Sequence, residues 1–381
     1  MIPNSIGARR IRERESRGAS GLAVVAVGRW VGATAAARPS IEDRPCPPRN
    51  QSDKNRMSMA TERVEIPGGE GVDGRPWVIV NPKAGGGISQ KKWARMVGAV
   101  SAGLGEINVR FTDAQGHATE MAREIAMRGS QLVVALGGDG TISEVAAGLL
   151  AAREVGAPPS ELGIIPRGTG GDFRRTLELS TDIAQAAEHI RKSTAHAIDA
   201  GRVVFTTADG TEGSTTFVNV ASFGFSSAVA ARANRSSKSF GAKAAFLGAT
   251  VRTLMSHENA EVFLELDGGA PIRRTLMLAA VGNGRYFGGG MKICPDAKID
   301  DGVFSLVTVG DLGKMKVLAS MPRLFAGTHL GIEDIRGANV RKLRASPVDP
   351  AEVIPVELDG ETPGRLPATF EVLPRALLVR F

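Results

Sequence analysis

Gly137, Gly138, Asp139, Gly140 and Thr141 follow directly on the apolar segment Leu132–Leu136. A strand that ends in glycines and restarts as a helix leaves unpaired backbone N–H groups aimed at one spot, and the helix dipole adds its positive end. That arrangement seats a phosphate. The carboxylate of Asp139 repels a bare anion, so it fits a phosphate that arrives with Mg2+, or a site that must handle a proton. Either case points to phosphoryl transfer; the alternative is a glycine-rich βα turn that Asp139 supports.

The surrounding pattern supplies elements to hold such a turn. A strand over 77–80 ends at Asn81-Pro82 and is followed by Ala84-Gly85-Gly86-Gly87. A helix is expected over 90–103 and a second strand over 107–112. Ala118, Met121, Ala122 and Ile125 then recur at the spacing of one helix face, as do Ile142, Val145, Ala146 and Leu149 after the glycine turn. A strand over 162–165 ends in Pro166-Arg167-Gly168-Thr169-Gly170-Gly171-Asp172-Phe173, and a helix over 183–192 precedes a strand over 197–205. Strands alternating with helices imply a doubly wound α/β domain, its mostly parallel sheet covered on both faces, with ligands at the carboxyl ends of the strands. All of these glycine turns fall on that edge.

Beyond about residue 201 the texture changes. Strands are expected over 215–225, 260–266, 272–281, 303–309, 353–358 and 376–381, with helices only over 243–255 and 314–325. This reads as a mostly antiparallel second domain.

The formal charge of +7 is unevenly placed, since residues 1–60 hold 11 Lys and Arg against 5 Asp and Glu. The remainder is close to neutral, so no nucleic-acid partner is implied. Residues 1–75 are expected to be disordered, a targeting segment or an overextended start, Met57 and Met59 being later candidates. No apolar run reaches membrane-spanning length, so lipid chemistry would be done from the surface. Cys46 and Cys294 make no disulfide framework or zinc spacing, which fits a reducing cytoplasm.

Taken in order, Asn81-Pro82-Lys83-Ala84-Gly85-Gly86-Gly87, Gly137-Gly138-Asp139-Gly140-Thr141 with Glu144, Pro166-x-Gly168-Thr169-x-x-Asp172-Phe173, Gly282-Asn283-Gly284 with Gly288-Gly289-Gly290, Pro295-x-Ala297 with Asp300-Asp301-Gly302, and Asp359-Gly360-Glu361 carry a resemblance. The chain resembles the diacylglycerol kinase catalytic-domain family, soluble bacterial lipid kinases related to sphingosine and ceramide kinases. The resemblance runs from about residue 76 to the end. It implies an ATP-binding α/β domain over 76–200, a C-terminal antiparallel β-sandwich domain for the lipid acceptor over 201–370, and a last strand within 371–381 that returns to the first domain. The active site would lie in the cleft between them.

The resemblance also assigns roles. ATP would give its γ-phosphoryl group to a lipid hydroxyl, with Mg2+. Gly137, Gly138, Gly140 and Thr141 would cradle phosphates, and Asn81, Thr112, Thr169 and Asp172 would line the nucleotide. Glu361 matches the family's general base, with Asp139 as the competitor, and Asp359 would orient Glu361 or help hold catalytic Mg2+. Asp301, with the carbonyls of Lys298 and Val303, matches a structural Mg2+ site. The enzyme would be cytoplasmic, act on lipid at a membrane surface, and is compatible with a homodimer. One departure stands out: Gly171 occupies the place of the family's usual Asn.

Several residues have plainer readings. Glu144, three after Thr141, fits a capping box. Asp300-Asp301-Gly302 and Asp359-Gly360 fit tight turns. Asp199 fits a strand-end turn, and His117 a helix start. An NAD kinase shares Gly-Gly-Asp-Gly and a two-domain plan, and a non-catalytic lipid-binding relative is the other alternative.

Overall fold

The computed structural model of the protein describes residues 74–87, 90–168, 170–229, 253, 254, 256 and 258–381. Thr169, most of the helix expected over 243–255, and the segment before residue 74 lie outside the described residues.

The first half alternates β1 (Trp77–Val80), α1 (Gln90–Leu104), β2 (Asn108–Phe111), α2 (His117–Met127), β3 (Leu132–Gly137), α3 (Asp139–Glu154), β4 (Glu161–Pro166), the short α4 (Asp172–Thr176) and α5 (Ile183–Lys192). The strands pair in parallel in the order β2-β1-β3-β4. Period-two alternation explains their near-continuous apolar sequences. Val78, Val80, Val134, Leu136 and Ile165 face Met96, Val100, Ala186 and Ile190 of α1 and α5. Ile79, Val133, Ala135, Leu162 and Ile164 face Met121, Ile125, Val145 and Leu149 of α2 and α3. A strand buried on both faces has no polar side to show. Strand order reverses direction between β1 and β3, so the turns after them flank the crevice where such sheets bind ligands.

α2 and α3 approach closely at Gly148. A Cβ there would lie 2.3 Å from the Thr119 carbonyl oxygen and 2.8 Å from the Ala122 Cβ. Helix propensity alone favours Ala over Gly by about 1 kcal/mol. Overpacking against backbone opposes it, so Gly148→Ala is expected to destabilise the protein by about 1–3 kcal/mol. Urea unfolding measures this, and a variant as stable as the parent would refute the close packing.

The second half comprises β5 (Ala195–Thr206), β6 (Glu212–Phe217), β7 (Val220–Gly224), β8 (Ala260–Leu266), β9 (Ile272–Leu276), β10 (Leu278–Gly282), β11 (Phe304–Val309), α6 (Lys314–Ala326), β12 (Ile335–Val340), β13 (Lys342–Pro347), β14 (Pro355–Leu358) and β15 (Glu361–Arg380). It is an antiparallel, sandwich-like arrangement. One layer runs β12-β11-β10-β7-β14-β15, and the long β15 continues into the other, ordered β6-β5-β15-β13-β8-β9. Phe217, Phe223, Phe304, Leu343, Val356 and Phe370 fill the space between the layers. On the outer face of β7, β10 and β11 a separate cluster, including Phe225, Leu278, Ile293 and Val307, packs toward α6.

Three expectations are corrected here. The strand expected over 215–225 breaks at Val218 and Asn219, whose N–H groups are taken by a side chain described below. The strand expected over 272–281 breaks at Met277, because β9 pairs with β8 while β10 pairs with β7 and β11, so the chain changes layer. The final strand is far longer than 376–381. β15 runs antiparallel to β14 and β5, then pairs in parallel with β4 through Leu378–Arg380. Pro363, Pro367 and Pro374 disguise it in the sequence. Register shifts between Arg365 and Ala368 and between Leu373 and Leu377 absorb two of them.

Candidate active site

The glycine turn after β3 folds as the sequence requires. Gly138 is the N-cap of α3, and the first bond back to it comes from Ile142 at 3.1 Å. The N–H groups of Asp139, Gly140 and Thr141 therefore have no partner within the helix. Gly137 tolerates no side chain, since a Cβ would lie 2.4 Å from Thr141 Oγ1. A Cβ on Gly168 would lie 2.8 Å from the Gly138 Cα, so the turns after β3 and β4 touch through bare backbone. A Cβ on Gly86, Gly87 or Gly140 would meet nothing within 4 Å, which leaves room for a ligand beside the backbone donors.

Asn81 at the end of β1 donates from Nδ2 to Thr141 Oγ1 at 3.1 Å and accepts the Lys83 N–H at 2.9 Å. Thr112 is buried just after β2, its N–H on the Val80 carbonyl at 2.9 Å. Arg167 was not singled out from the sequence. Its guanidinium donates to the carbonyl oxygens of Ala84 and Gly87, the latter at 2.7 Å, and ties the first glycine turn to the end of β4. Its place inside Pro166-Arg167-Gly168 was the available signal: a cation within a phosphate-type turn.

The acids divide into partly or fully buried clamps and an exposed group. Asp139 accepts the N–H groups of Gly171 at 2.7 Å and Phe173 at 3.2 Å, which fixes the turn that precedes α4. Gly171 has φ +64, and there an Asn side chain would meet the Arg174 guanidinium, 3.0 Å from the ideal Cβ. Asp172 is buried. It accepts the Gly289 N–H at 2.7 Å and an Arg175 N–H at 2.9 Å. Burial raises its pKa above the carboxylate norm, and the charge of Asp139 adds to this against the donors.

Asp359 has φ +49, a conformation Asp tolerates better than most residues. Its carboxylate accepts Ser143 Oγ at 2.7 Å and the N–H groups of Val218, Asn219 and Val220 at 2.9, 3.0 and 3.1 Å. Four donors match the roughly four lone-pair directions of a carboxylate. Burial still raises its pKa. Glu361 is different: it is exposed, and its Oε2 accepts Gln115 Nε2 at 2.7 Å from the loop before α2. Ser143 lies one helical turn after Asp139, so α3 fastens the acidic turn to the same end of the sheet as the glycine turn after β3.

Asp301 lies on an exposed turn, with its Oδ1 accepting the Val303 N–H at 3.2 Å. Asp199 is not a strand-end turn residue. It is fully buried inside β5 and accepts the N–H groups of Gly302 at 2.6 Å and Arg375 at 2.7 Å, which anchors the Asp301 turn to β5 and β15. Among the described residues no three His, Cys, Asp or Glu gather as a metal cage. One carboxylate with backbone carbonyls of Lys298 and Val303 is a hard, oxygen-only set that suits a mostly hydrated Mg2+. Glu144 caps a neighbour instead of its own helix, accepting the Ala118 N–H of α2 at 3.1 Å. His117 is the first residue of α2, and its Nδ1 accepts the Asp113 N–H at 3.2 Å.

Glu357 escaped the sequence reading, although Glu357, Asp359 and Glu361 alternate along the chain. It is buried, accepting the Ser222 hydroxyl and the Gly360 N–H, and Ser226 donates to Ser222 at 2.8 Å. Burial pushes its pKa from 4.5 up to about 7, with the charges of Asp359 and Asp172 adding. The folded state therefore binds a proton that the unfolded chain has released, and stability falls as pH rises from about 4.5 through about 7. Glu357→Gln is expected to melt higher than the parent above about pH 7 and to converge with it at acid pH. Parallel pH profiles of the melting temperature would refute this.

Glu357 and Gly360 also line a cavity of about 160 Å3 whose other walls include Phe225, Met277, Phe287, Met291, Val309 and Leu324. That is close to the roughly 150 Å3 of an apolar cavity able to hold a benzene ring.

The parallel sheet with its glycine turns is thus joined through acidic turns to an antiparallel sandwich with an apolar cavity. Residues 75–203 match the diacylglycerol kinase catalytic domain, and residues 219–381 match the YegS C-terminal NAD kinase beta sandwich-like domain. The diacylglycerol kinase of Mycobacterium tuberculosis (strain ATCC 25618 / H37Rv) is 30% identical over 308 residues, 80% of this chain and 94% of that protein. That of Bacillus subtilis (strain 168) is 29% identical over 306 residues, 80% of this chain and 95% of that protein. A solved structure from Bacillus anthracis str. Sterne superposes with a TM-score of 0.64 at 27% identity, covering 81% of this chain and 97% of that one. The chain belongs to the diacylglycerol kinase catalytic-domain family of lipid kinases.

Proposed function

We propose that the protein transfers the γ-phosphoryl group of ATP to the hydroxyl of a diacylglycerol-like lipid, directly and in line. One observation carries this reading: two turns serve both ligands at once. Gly360 lines the apolar cavity while the adjacent Asp359 binds α3 beside the phosphate turn. Phe287 and Gly288 line the same cavity while Gly289 donates to Asp172.

Mg·ATP supplies the phosphoryl group and neutralises charge on it in flight. The N–H groups opening α3, together with Arg167, bind and orient the phosphates. Asn81 and Thr112 line the nucleotide side. Asp139 holds the third glycine turn in shape, and Asp172 holds Gly289 against it. Glu361 takes the acceptor hydroxyl's proton, because of the three carboxylates at this end of the sheet only that of Glu361 is exposed, Asp139 and Asp359 being part-buried. Asp359 is a positioning residue that aims the turn carrying Glu361. The apolar cavity excludes water from the acyl side. Asp301 with the carbonyls of Lys298 and Val303 would hold a structural Mg2+ that stiffens this turn.

The full chain with radiolabelled ATP, offered diacylglycerol, NAD and a total lipid extract in separate reactions, tests this. Label in a diacylglycerol-class product, identified by mass spectrometry, is expected. Label in NAD, or only in released phosphate, overturns the assignment.

A further inference from the structure

α6 covers the apolar cavity with one face and shows an apolar stripe on the other. Val317, Ser320, Met321 and Leu324 line the cavity. On the opposite side Met315, Leu318 and Phe325 are 77%, 44% and 50% exposed, joined by exposed Ala319, Pro322 and Ala326. Offsets of 3, 4, 7 and 10 residues from Met315 put Leu318, Ala319, Pro322 and Phe325 on one helical stripe. No residue of the helix is fully buried. A helix that packs one face on a core ordinarily turns polar groups outward. This one has no acidic residue, and its charged groups are Lys314, Lys316 and Arg323.

We infer that the outer face of α6 docks on an anionic bilayer surface. The helix itself carries no carboxylate, Lys316 is paired with Asp334 beyond its end at 2.7 Å, and an apolar stripe with Lys314 and Arg323 on the same helix is the complement of an interface of acyl chains beneath anionic headgroups. Continuity argues the same way, because the helix that meets the bilayer is also the wall of the cavity. This continuity rests on the cavity being the acceptor pocket. A lipid could then pass from leaflet to cavity without crossing water. Among the described residues no helix is long and apolar enough to span a membrane, so the attachment is from one side.

The test uses the full chain, without ATP, sedimented with vesicles of phosphatidylglycerol and phosphatidylcholine in equal parts, or of phosphatidylcholine alone. The parent is expected to bind the anionic vesicles, and the combined variant Met315→Ser, Leu318→Ser, Phe325→Ser to bind them at least about tenfold more weakly. Since none of the three side chains lines the cavity or the site, the variant should retain the parent's activity on a water-soluble short-chain diacylglycerol. In a second variant, Leu318→Trp, indole emission should shift to the blue on adding anionic vesicles. Equal binding by parent and triple variant, no binding by the parent, or no shift in Leu318→Trp overturns the proposal. So does sedimentation velocity that finds the stripe buried between two copies of the chain, with the triple variant monomeric. Vesicle binding without lipid phosphorylation would instead refute the kinase reading and leave the docking surface standing.

Discussion

Glu361→Gln is expected to lower kcat for lipid phosphorylation by roughly 10²–10⁴-fold, the range associated with losing a general base. KM for ATP should change little, because Glu361 sits on the acidic turn and its Oε2 accepts from Gln115 in the loop before α2. The amide keeps the shape and the exposed position but cannot take a proton. Asp139→Asn supplies the contrast. Its carboxylate oxygens accept the N–H groups of Gly171 and Phe173, and a carboxamide would turn an NH2 toward one of them. The turn before α4 should then shift, raising KM for ATP as well as lowering kcat. Steady-state kinetics on both variants separate the roles. The assignment fails if Glu361→Gln keeps more than about a tenth of the parent's kcat, or if Asp139→Asn is the variant that loses kcat alone.

The glycine turns after β3 and β4 were legible in the sequence because their demands are local. Gly137 must lack a side chain to clear Thr141, and Gly168 must lack one to pass Gly138. The parallel core was legible for a similar reason, since segments such as Val78–Val80 and Val133–Leu136 are apolar on both faces. The acidic end was not. Asp139, Asp359 and Glu361 each sit next to glycine, and nothing local separates a part-buried carboxylate from an exposed one. The difference comes from donors far away in the chain, Ser143 and Val218–Val220 for Asp359 and Gln115 for Glu361. Glu357 was missed because its burial depends on Ser222 and on the packing of β7 against β14. Strands β12 and β13 were missed because four consecutive residues of β12 are exposed and β13 carries Lys342 and Arg344 outward. Edge position and layer switching are tertiary facts, and period-two apolarity is weak in both strands.

Asp359→Ala is expected to cost about 3–5 kcal/mol of stability, the scale seen when one partner of a buried charged network is removed. The substitution strands the Ser143 hydroxyl and three backbone N–H groups that meet nothing else on the ladder at the β6–β7 break. It also leaves alanine at φ +49, a conformation that costs a residue with a Cβ roughly 1 kcal/mol more. Raised by burial, the Asp359 pKa works in the opposite sense: the folded state holds a proton more readily than the unfolded one, so ionisation erodes stability as pH climbs above the model-peptide value of 3.8. The loss on substitution should therefore be larger in acid than at neutral pH, when the protonated group keeps most of its donors without the charge. Asp359→Asn should not rescue it, because the carboxamide nitrogen would face N–H groups that need an acceptor. Urea unfolding of both variants across pH tests the clamp. A loss below about 1 kcal/mol, or full rescue by Asn, would mean that these donors are satisfied elsewhere and that the acidic turn is held to α3 by something other than this carboxylate.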